Sequence, residues 1–134
     1  MEPCRILVVD DDDDFAELVT EALAADERVE VVARACDGVE AVRLSVELEP
    51  DVVSMDVVMP RMDGLTATRL ITEAQPSVRV LMVSGSLFDD RSGEARAAGA
   101  AGYLPKGRAP FGLADAALAV HAGESLFRPV ASAA

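Results

Sequence analysis

The chain is poor in several residue types at once: no tryptophan, one tyrosine, one histidine, two cysteines, and 12 lysines and arginines against 24 aspartates and glutamates. The net charge of -12 repels a phosphate backbone, so direct nucleic-acid binding by this chain is not expected. Long hydrophobic runs are also missing. Every apolar run is short and interrupted by charge, and the amino terminus lacks the apolar stretch of a signal peptide, which predicts a soluble, cytoplasmic protein with no membrane partner. The two cysteines do not suggest a disulfide. Cys4 falls at the start of the first predicted strand and Cys36 just past the end of the second, which in neighbouring parallel strands separates them by roughly 20 Å, far beyond bridging distance. No CxxC-type spacing exists, which argues against structural zinc. The length of 134 residues suits one domain with one real core.

Apolar runs of strand length recur at Ile6 to Val9, Val29 to Ala33, Val52 to Met55, Val78 to Val83 and Gly102 to Leu104. Between them lie segments of helical period. Phe15, Leu18, Val19, Ala22 and Leu23 are spaced as one buried helix face, repeated more weakly by Ala41, Leu44, Ser45 and Leu48, by Ala67, Leu70, Ile71 and Ala74, and by Leu113, Ala116, Ala117 and Val120. Five β-α units whose strands are continuous apolar runs predict an α/β, doubly wound parallel sheet covered on both faces. The segment Asp89 to Gly99 has a face made mostly of alanine and contains Gly93, so it is expected to be the most mobile helix. Pro110 suits the first turn of the last helix. The helical pattern stops after His121, which divides the chain into a domain over residues 1–122 and a tail over 123–134.

Five consecutive aspartates, Asp10 to Asp14, close the first run, and the third ends on Asp56. In a flavodoxin-like sheet of order 2-1-3-4-5, ligands bind beyond the carboxyl ends of strands one and three, where the strand order reverses. Those are the two strands that end in aspartate. Asp10, Asp11 and Asp56 are therefore expected to converge, and such carboxylates repel unless a cation lies among them. Hard oxygen ligands with room for water favour Mg2+.

Two readings compete. Charge runs are commonly just solvated loops. Asp10, Asp12, Asp14 and Glu21 also occupy positions 1, 3, 5 and 12 of an EF-hand calcium loop, but position six is Phe15 where glycine is needed, and a strand precedes the run. Ser84 at the end of strand four and Lys106 after strand five weigh toward phosphoryl chemistry: a hydroxyl donates to a phosphoryl oxygen and an ammonium supplies its counter-charge.

The set Val8-Val9-Asp10-Asp11, Met55-Asp56-Val57-Val58-Met59-Pro60-Arg61-Met62-Asp63-Gly64, Leu81-Met82-Val83-Ser84-Gly85 and Gly102-Tyr103-Leu104-Pro105-Lys106 resembles the receiver domain of bacterial two-component response regulators, from about Arg5 to His121. The resemblance implies that Asp56 is the phosphoacceptor, taking a phosphoryl group from a phosphohistidine of a sensor histidine kinase. It implies that Asp11, Asp56 and the backbone carbonyl of Val58 hold Mg2+, with Asp10 acting through a metal-bound water. Ser84 and Lys106 match the pair that grips the phosphoryl group, and Tyr103 the aromatic that turns inward on activation, remodelling the surface of helix four, strand five and helix five. A carboxylate is a competent nucleophile toward phosphorus, and Mg2+ with a lysine offsets charge on the equatorial oxygens. A homodimer on phosphorylation is a family expectation.

The departures carry information. Family members commonly follow the lysine with proline, whereas here Gly107 follows and Pro105 precedes, on a strand expected at the sheet edge, where proline is tolerated. Val58, two residues past the acceptor, cannot orient an attacking water with its side chain, which predicts slow self-dephosphorylation. The same position disfavours an aspartate-nucleophile phosphohydrolase, which typically carries a second aspartate there. A docking-only pseudo-receiver is disfavoured by the intact Asp10, Asp11, Asp56, Ser84 and Lys106. His121 has no acidic sequence neighbour of the kind that phosphohistidine donors show, and reads as a surface residue. The ending Ala119 to Pro129, AVHAGESLFRP, resembles the join to a carboxy-terminal helix-turn-helix DNA-binding domain in one large subfamily, favouring a receiver excised from a transcription regulator over a stand-alone one.

Overall fold

The computed structural model describes residues 2–85 and 91–127. Five strands, β1 (Cys4–Val9), β2 (Val29–Ala35), β3 (Val52–Asp56), β4 (Arg79–Ser84) and β5 (Gly102–Pro105), form one parallel sheet in the order β2-β1-β3-β4-β5. The helices are α1 (Asp13–Ala24), α2 (Gly38–Leu48), α3 (Gly64–Ala74), α4 (Ser92–Ala97) and α5 (Ala109–His121), with a short 3-10 turn at Lys106–Arg108 before α5. The flavodoxin-like α/β expectation is met, and β1 and β3 are adjacent at the point where strand order reverses. Among the described residues, no helix is long and apolar enough to cross a membrane.

Two cores sandwich the sheet because strand side chains alternate in direction. Leu7, Val9, Val53, Met55, Val80 and Met82 point to α2, α3 and α4, where Ala41, Leu65, Ala67, Ile71 and Ala95 meet them. Ile6, Val8, Val52 and Leu81 point the other way, onto Ala16, Val19 and Leu23 of α1 and Leu113, Ala116, Ala117 and Val120 of α5. The faces of α1 and α3 are rotated from those the spacing predicts. Leu18 is half exposed, Leu70 is exposed, and the buried positions are instead Ala16 on α1 and Leu65 and Thr68 on α3. With Ala16 facing the sheet, Leu18 lies about 200° further round α1 and faces outward.

Three helices start on an aspartate N-cap that satisfies free backbone N–H groups. Asp12 accepts from the backbones of Asp14 and Phe15, Asp37 from Glu40, and Asp63 from Thr66. By contrast α4 is six residues long, follows Arg91, whose side chain makes no capping hydrogen bond, and buries only Ala95. The predicted helix from Asp89 is thus shorter than its alanine-rich segment, with positions 89–90 lying outside the described residues. Pro110 occupies the first turn of α5.

The helical pattern does end at His121, yet the chain beyond it returns to the sheet. Leu126 forms a parallel bridge with Gly102, and its backbone exchanges hydrogen bonds with Ala101 and Tyr103 along the outer edge of β5. Phe127 packs against the core, with the Arg96 guanidinium 4.4 Å from its ring centroid. These bonds satisfy donors and acceptors that an edge strand otherwise leaves open. Both cysteines are free, Cys4 buried and Cys36 exposed.

Candidate functional site: an acidic cleft at the carboxyl edge of the sheet

Where β1 and β3 end, Asp10, Asp11 and Asp56 bring carboxylate oxygens within 4.8 Å of one another. Asp10 and Asp56 are buried and Asp11 is exposed, so two carboxylates form the floor and one reaches in from the rim. They border an open cleft of about 500 Å³ lined by Asp11, Asp12, Asp56, Val57, Val58, Ser84, Gly85, Arg91 and Lys106. Each predicted site residue except Tyr103 lies in this cleft or directly against it. Ser84 ends β4 and lines the wall, and Val58 is 71% exposed at the mouth, its side chain turned to solvent.

Lys106 is the only lysine in the chain. Its Nζ lies 2.9 Å from Asp10 Oδ2 and 3.5 Å from Asp56 Oδ2, and 4.7 Å from the centroid of the Phe15 ring. Burial alone pulls this ammonium down, but the hydrogen bond to Asp10 and the charges of Asp56 and Asp10 outweigh it, and the net shift is upward. Lys106 is therefore a fixed positive charge at neutral pH. Asp56 behaves oppositely. Burial first, then repulsion from Asp10, push its carboxyl up to about 7 against the pull of Lys106, with Asp11 adding to the rise. Three carboxylates facing one ammonium are under-compensated, and the oxygen-only donor set with an exposed rim fits a hard, partly hydrated divalent cation such as Mg2+.

Local geometry fixes the cluster. The Asp12 backbone N–H donates to Asp10 Oδ1 at 2.9 Å, and Arg34 donates to the Asp10 carbonyl while pairing with Asp13. Gly64 donates to the Val57 carbonyl at 2.8 Å, and a Cβ at Gly64 would overlap the Asp56 carbonyl oxygen, so only glycine lets α3 start this close to the end of β3. Arg61, at φ 66°, reaches back across to the buried Asp37, its Nε 2.7 Å from Oδ2. Hydrogen bonds from the Glu40 backbone and from Arg61 hold the Asp37 carboxyl below its ordinary value. This clamp pins the loop that carries Val58. Neither the clamp nor the Phe15–Lys106 contact was predicted; the partners are 24 and 91 positions apart, and the one local hint is Asp37 standing before Gly38 as a helix cap.

Tyr103 stands apart from the cleft on β5. Its ring packs against the core on the α4 side, and its hydroxyl accepts from the Arg91 backbone N–H at 3.2 Å. Since Arg91 also lines the cleft, one residue bridges the acidic site and the aromatic.

Comparison with known proteins places this parallel 2-1-3-4-5 sheet, with acids clustered at its reversal point, in a family. Residues 6–118 match the family model described as the response regulator receiver domain. The chain belongs to that family. It is 37% identical over 127 residues to the transcriptional regulatory protein LnrK of Bacillus subtilis, covering 93% of this chain and 57% of that protein. It is 39% identical over 125 residues to the response regulator GacA of Pseudomonas aeruginosa, covering 93% and 58%. The chain thus spans under two thirds of the length of these curated relatives. Among solved structures, the signal receiver domain of the putative response regulator NarL from Mycobacterium tuberculosis superposes with a TM-score of 0.87 at 33% identity, over 92% of this chain and 100% of that one. A LuxR-family two-component response regulator from Aurantimonas gives 0.87 at 34%, over 95% and 91%.

Proposed function

We propose that this receiver domain is a phosphorylation-controlled switch whose acceptor is Asp56. The observation that carries the reading is the convergence of Asp56, buried, with the acidic pair Asp10 and Asp11 and with the chain's single lysine in one cleft. Asp11, Asp56 and the Val58 carbonyl would hold Mg2+, with Asp10 reaching it through water; the ion supplies charge neutralisation for oxygens on phosphorus. In the transfer, an Asp56 carboxylate oxygen bonds to the phosphorus of a phosphohistidine on a sensor histidine kinase. The phosphorus–nitrogen bond breaks, and the nitrogen keeps its electron pair. Lys106, already held by Asp10 and Asp56 and so poised at neutral pH, is drawn onto the phosphoryl oxygens as charge builds there.

Ser84, which lines the cleft at the end of β4, would donate its hydroxyl to the same group. Its movement toward phosphorus would vacate space beside β5 into which Tyr103 turns, breaking the Arg91–Tyr103 hydrogen bond and altering the α4-β5-α5 surface. Residues 123–134 are a tail or linker stub whose first part folds back on β5 at Leu126 and Phe127, and relatives named as transcriptional regulators support transcription as the output, with phosphorylation-dependent dimerisation as its route. The site would return to rest slowly, because Val58 has no group to align water.

Intact mass after incubation with acetyl phosphate and Mg2+ tests this. One phosphoryl group should be gained, and should be absent in Asp56→Asn and after chelation. A folded, Mg2+-replete sample that gains nothing would favour a receiver that acts by docking alone.

A further inference from the structure

A second donor cluster lies at the opposite, amino-terminal edge of the sheet. Cys4 at the start of β1, Asp51 in the lead-in to β3 and His121 at the end of α5 bring a sulfur, a carboxylate oxygen and an imidazole nitrogen within 4.8 Å of one another. These are the only histidine and one of only two cysteines in the chain, contributed by three separate elements. We propose that Cys4, Asp51 and His121 form a binding site for a borderline-soft divalent metal, Zn2+ above all, independent of the acidic cleft.

The donor types select the metal. Thiolate, imidazole and carboxylate together suit Zn2+ rather than Mg2+ or Ca2+, whose ligands are oxygens, and three protein ligands leave a fourth tetrahedral position for water. Charge closes as well: one thiolate and one carboxylate neutralise a divalent ion, which removes the cost of burying unpaired charge beside Cys4.

Two of the three ligands are already rigid. Cys4 is buried within β1, its backbone N–H bonded to the Arg28 carbonyl at 2.9 Å. Asp51 is held on three sides: Oδ2 accepts from the Arg5 backbone N–H at 2.9 Å, its own N–H donates to the Arg5 carbonyl at 2.9 Å, and its carbonyl accepts from Arg79 at 3.1 Å. That outer hydrogen bond orients the carboxylate and leaves Oδ1 for a metal, the support that ligand carboxylates ordinarily receive. His121 is exposed at the last turn of α5, so its side chain has the freedom to close the remaining distance.

Burial, aided by the charge of Asp51, pushes the Cys4 thiol up to about 11. On binding, the sulfur–metal bond would form as the S–H bond breaks, and the proton would leave to solvent, making affinity rise with pH. The metal would staple the start of β1 and the approach to β3 to the end of α5, where the chain turns toward β5. Ligands at positions 4, 51 and 121 carry no short-spacing signature, which is why sequence spacing points away from zinc.

The test is a titration of the 134-residue chain with Co2+ in excess Mg2+ and a phosphine reductant, followed by displacement with Zn2+. One equivalent should bind with a thiolate-to-cobalt charge-transfer band and the visible bands of a four-coordinate ion, which Zn2+ then abolishes. Cys36→Ser should retain the signal and Cys4→Ser should lose it. His121→Gln, a surface change that leaves the fold intact, should weaken binding by about 100-fold or more, since even outer-shell changes cost roughly 10–100-fold. Absence of the charge-transfer band, its loss in Cys36→Ser, or unaltered affinity in His121→Gln would each overturn the site.

Discussion

The two halves of the sheet are built to different standards. On the β2-β1-β3 side, α1, α2 and α3 are each 11 or 12 residues long, each is capped by an aspartate side chain, and each lays several buried residues on the strands. On the β4-β5 side, where the long α5 spans both halves, α4 has six residues, no capping hydrogen bond from the Arg91 side chain and one buried alanine, and β5 has four residues. The carboxylates of the acidic cleft all come from the firm half, while Ser84, Arg91, Tyr103 and Lys106 come from the lean half. Chemistry needs groups held to fractions of an ångström, whereas a switch needs an element whose alternative packing costs little. Under the proposed function, the boundary between β3 and β4 is where the two requirements meet.

The sharpest way to break the contrast is to damage the firm half at its tightest point. Gly64→Ala would force a Cβ onto the Asp56 carbonyl and should lower stability by about 3 kcal/mol or more in urea unfolding. A glycine-to-alanine change in the lean half, Gly93→Ala, meets nothing within 4 Å among the described residues.

Next in size is the strain that the site itself stores. Asp56 titrates at about 7 in the folded protein against an ordinary 3.8, so between those values the native state binds more protons than the unfolded chain. Metal-free stability should therefore fall as pH rises from about 4 to about 7 and level off above, which is the sign required for an acid whose folded value is raised. Asp56→Asn should flatten that decline and exceed the wild type by on the order of 2 kcal/mol at pH 8, because Lys106 keeps its partner Asp10. Added Mg2+ should restore stability to the wild type and not to the variant.

Smaller effects separate the helices. Removing the α3 cap with Asp63→Ala should cost about 1 kcal/mol, whereas Gly93→Ala on α4 should gain about 0.5 kcal/mol by restricting the unfolded chain. Thermal or urea midpoints of the two variants, moving in opposite directions, would sharpen the contrast. Smallest in energy, though visible in kinetics, is the mouth of the cleft. Val58→Asn should shorten the phosphoryl lifetime followed by mass, by supplying an amide that holds water against phosphorus.

The firm half was also the more legible in sequence. Its strands are apolar runs closed by acids, and Asp10, Asp11 and Asp56 could be placed together because each ends a run in a fold whose reversal point is known. Contacts that depend on side-chain reach were not legible. Phe15 reads by period as part of the buried face of α1, but stacks on Lys106; Arg61 reads as a loop residue, but clamps Asp37. Leu126 and Phe127 sit in too short a stretch to show any period, and their pairing with β5 depends on an edge that exists only once the sheet has formed.

Hydrogen exchange on the chain before and after phosphorylation, read element by element, tests the division of labour most directly. The account predicts altered exchange over residues 91–106 and at Leu126 and Phe127, with α1, α2 and α3 unchanged. Changes concentrated in α1 to α3, with α4 and β5 indifferent to the phosphoryl group, would contradict it.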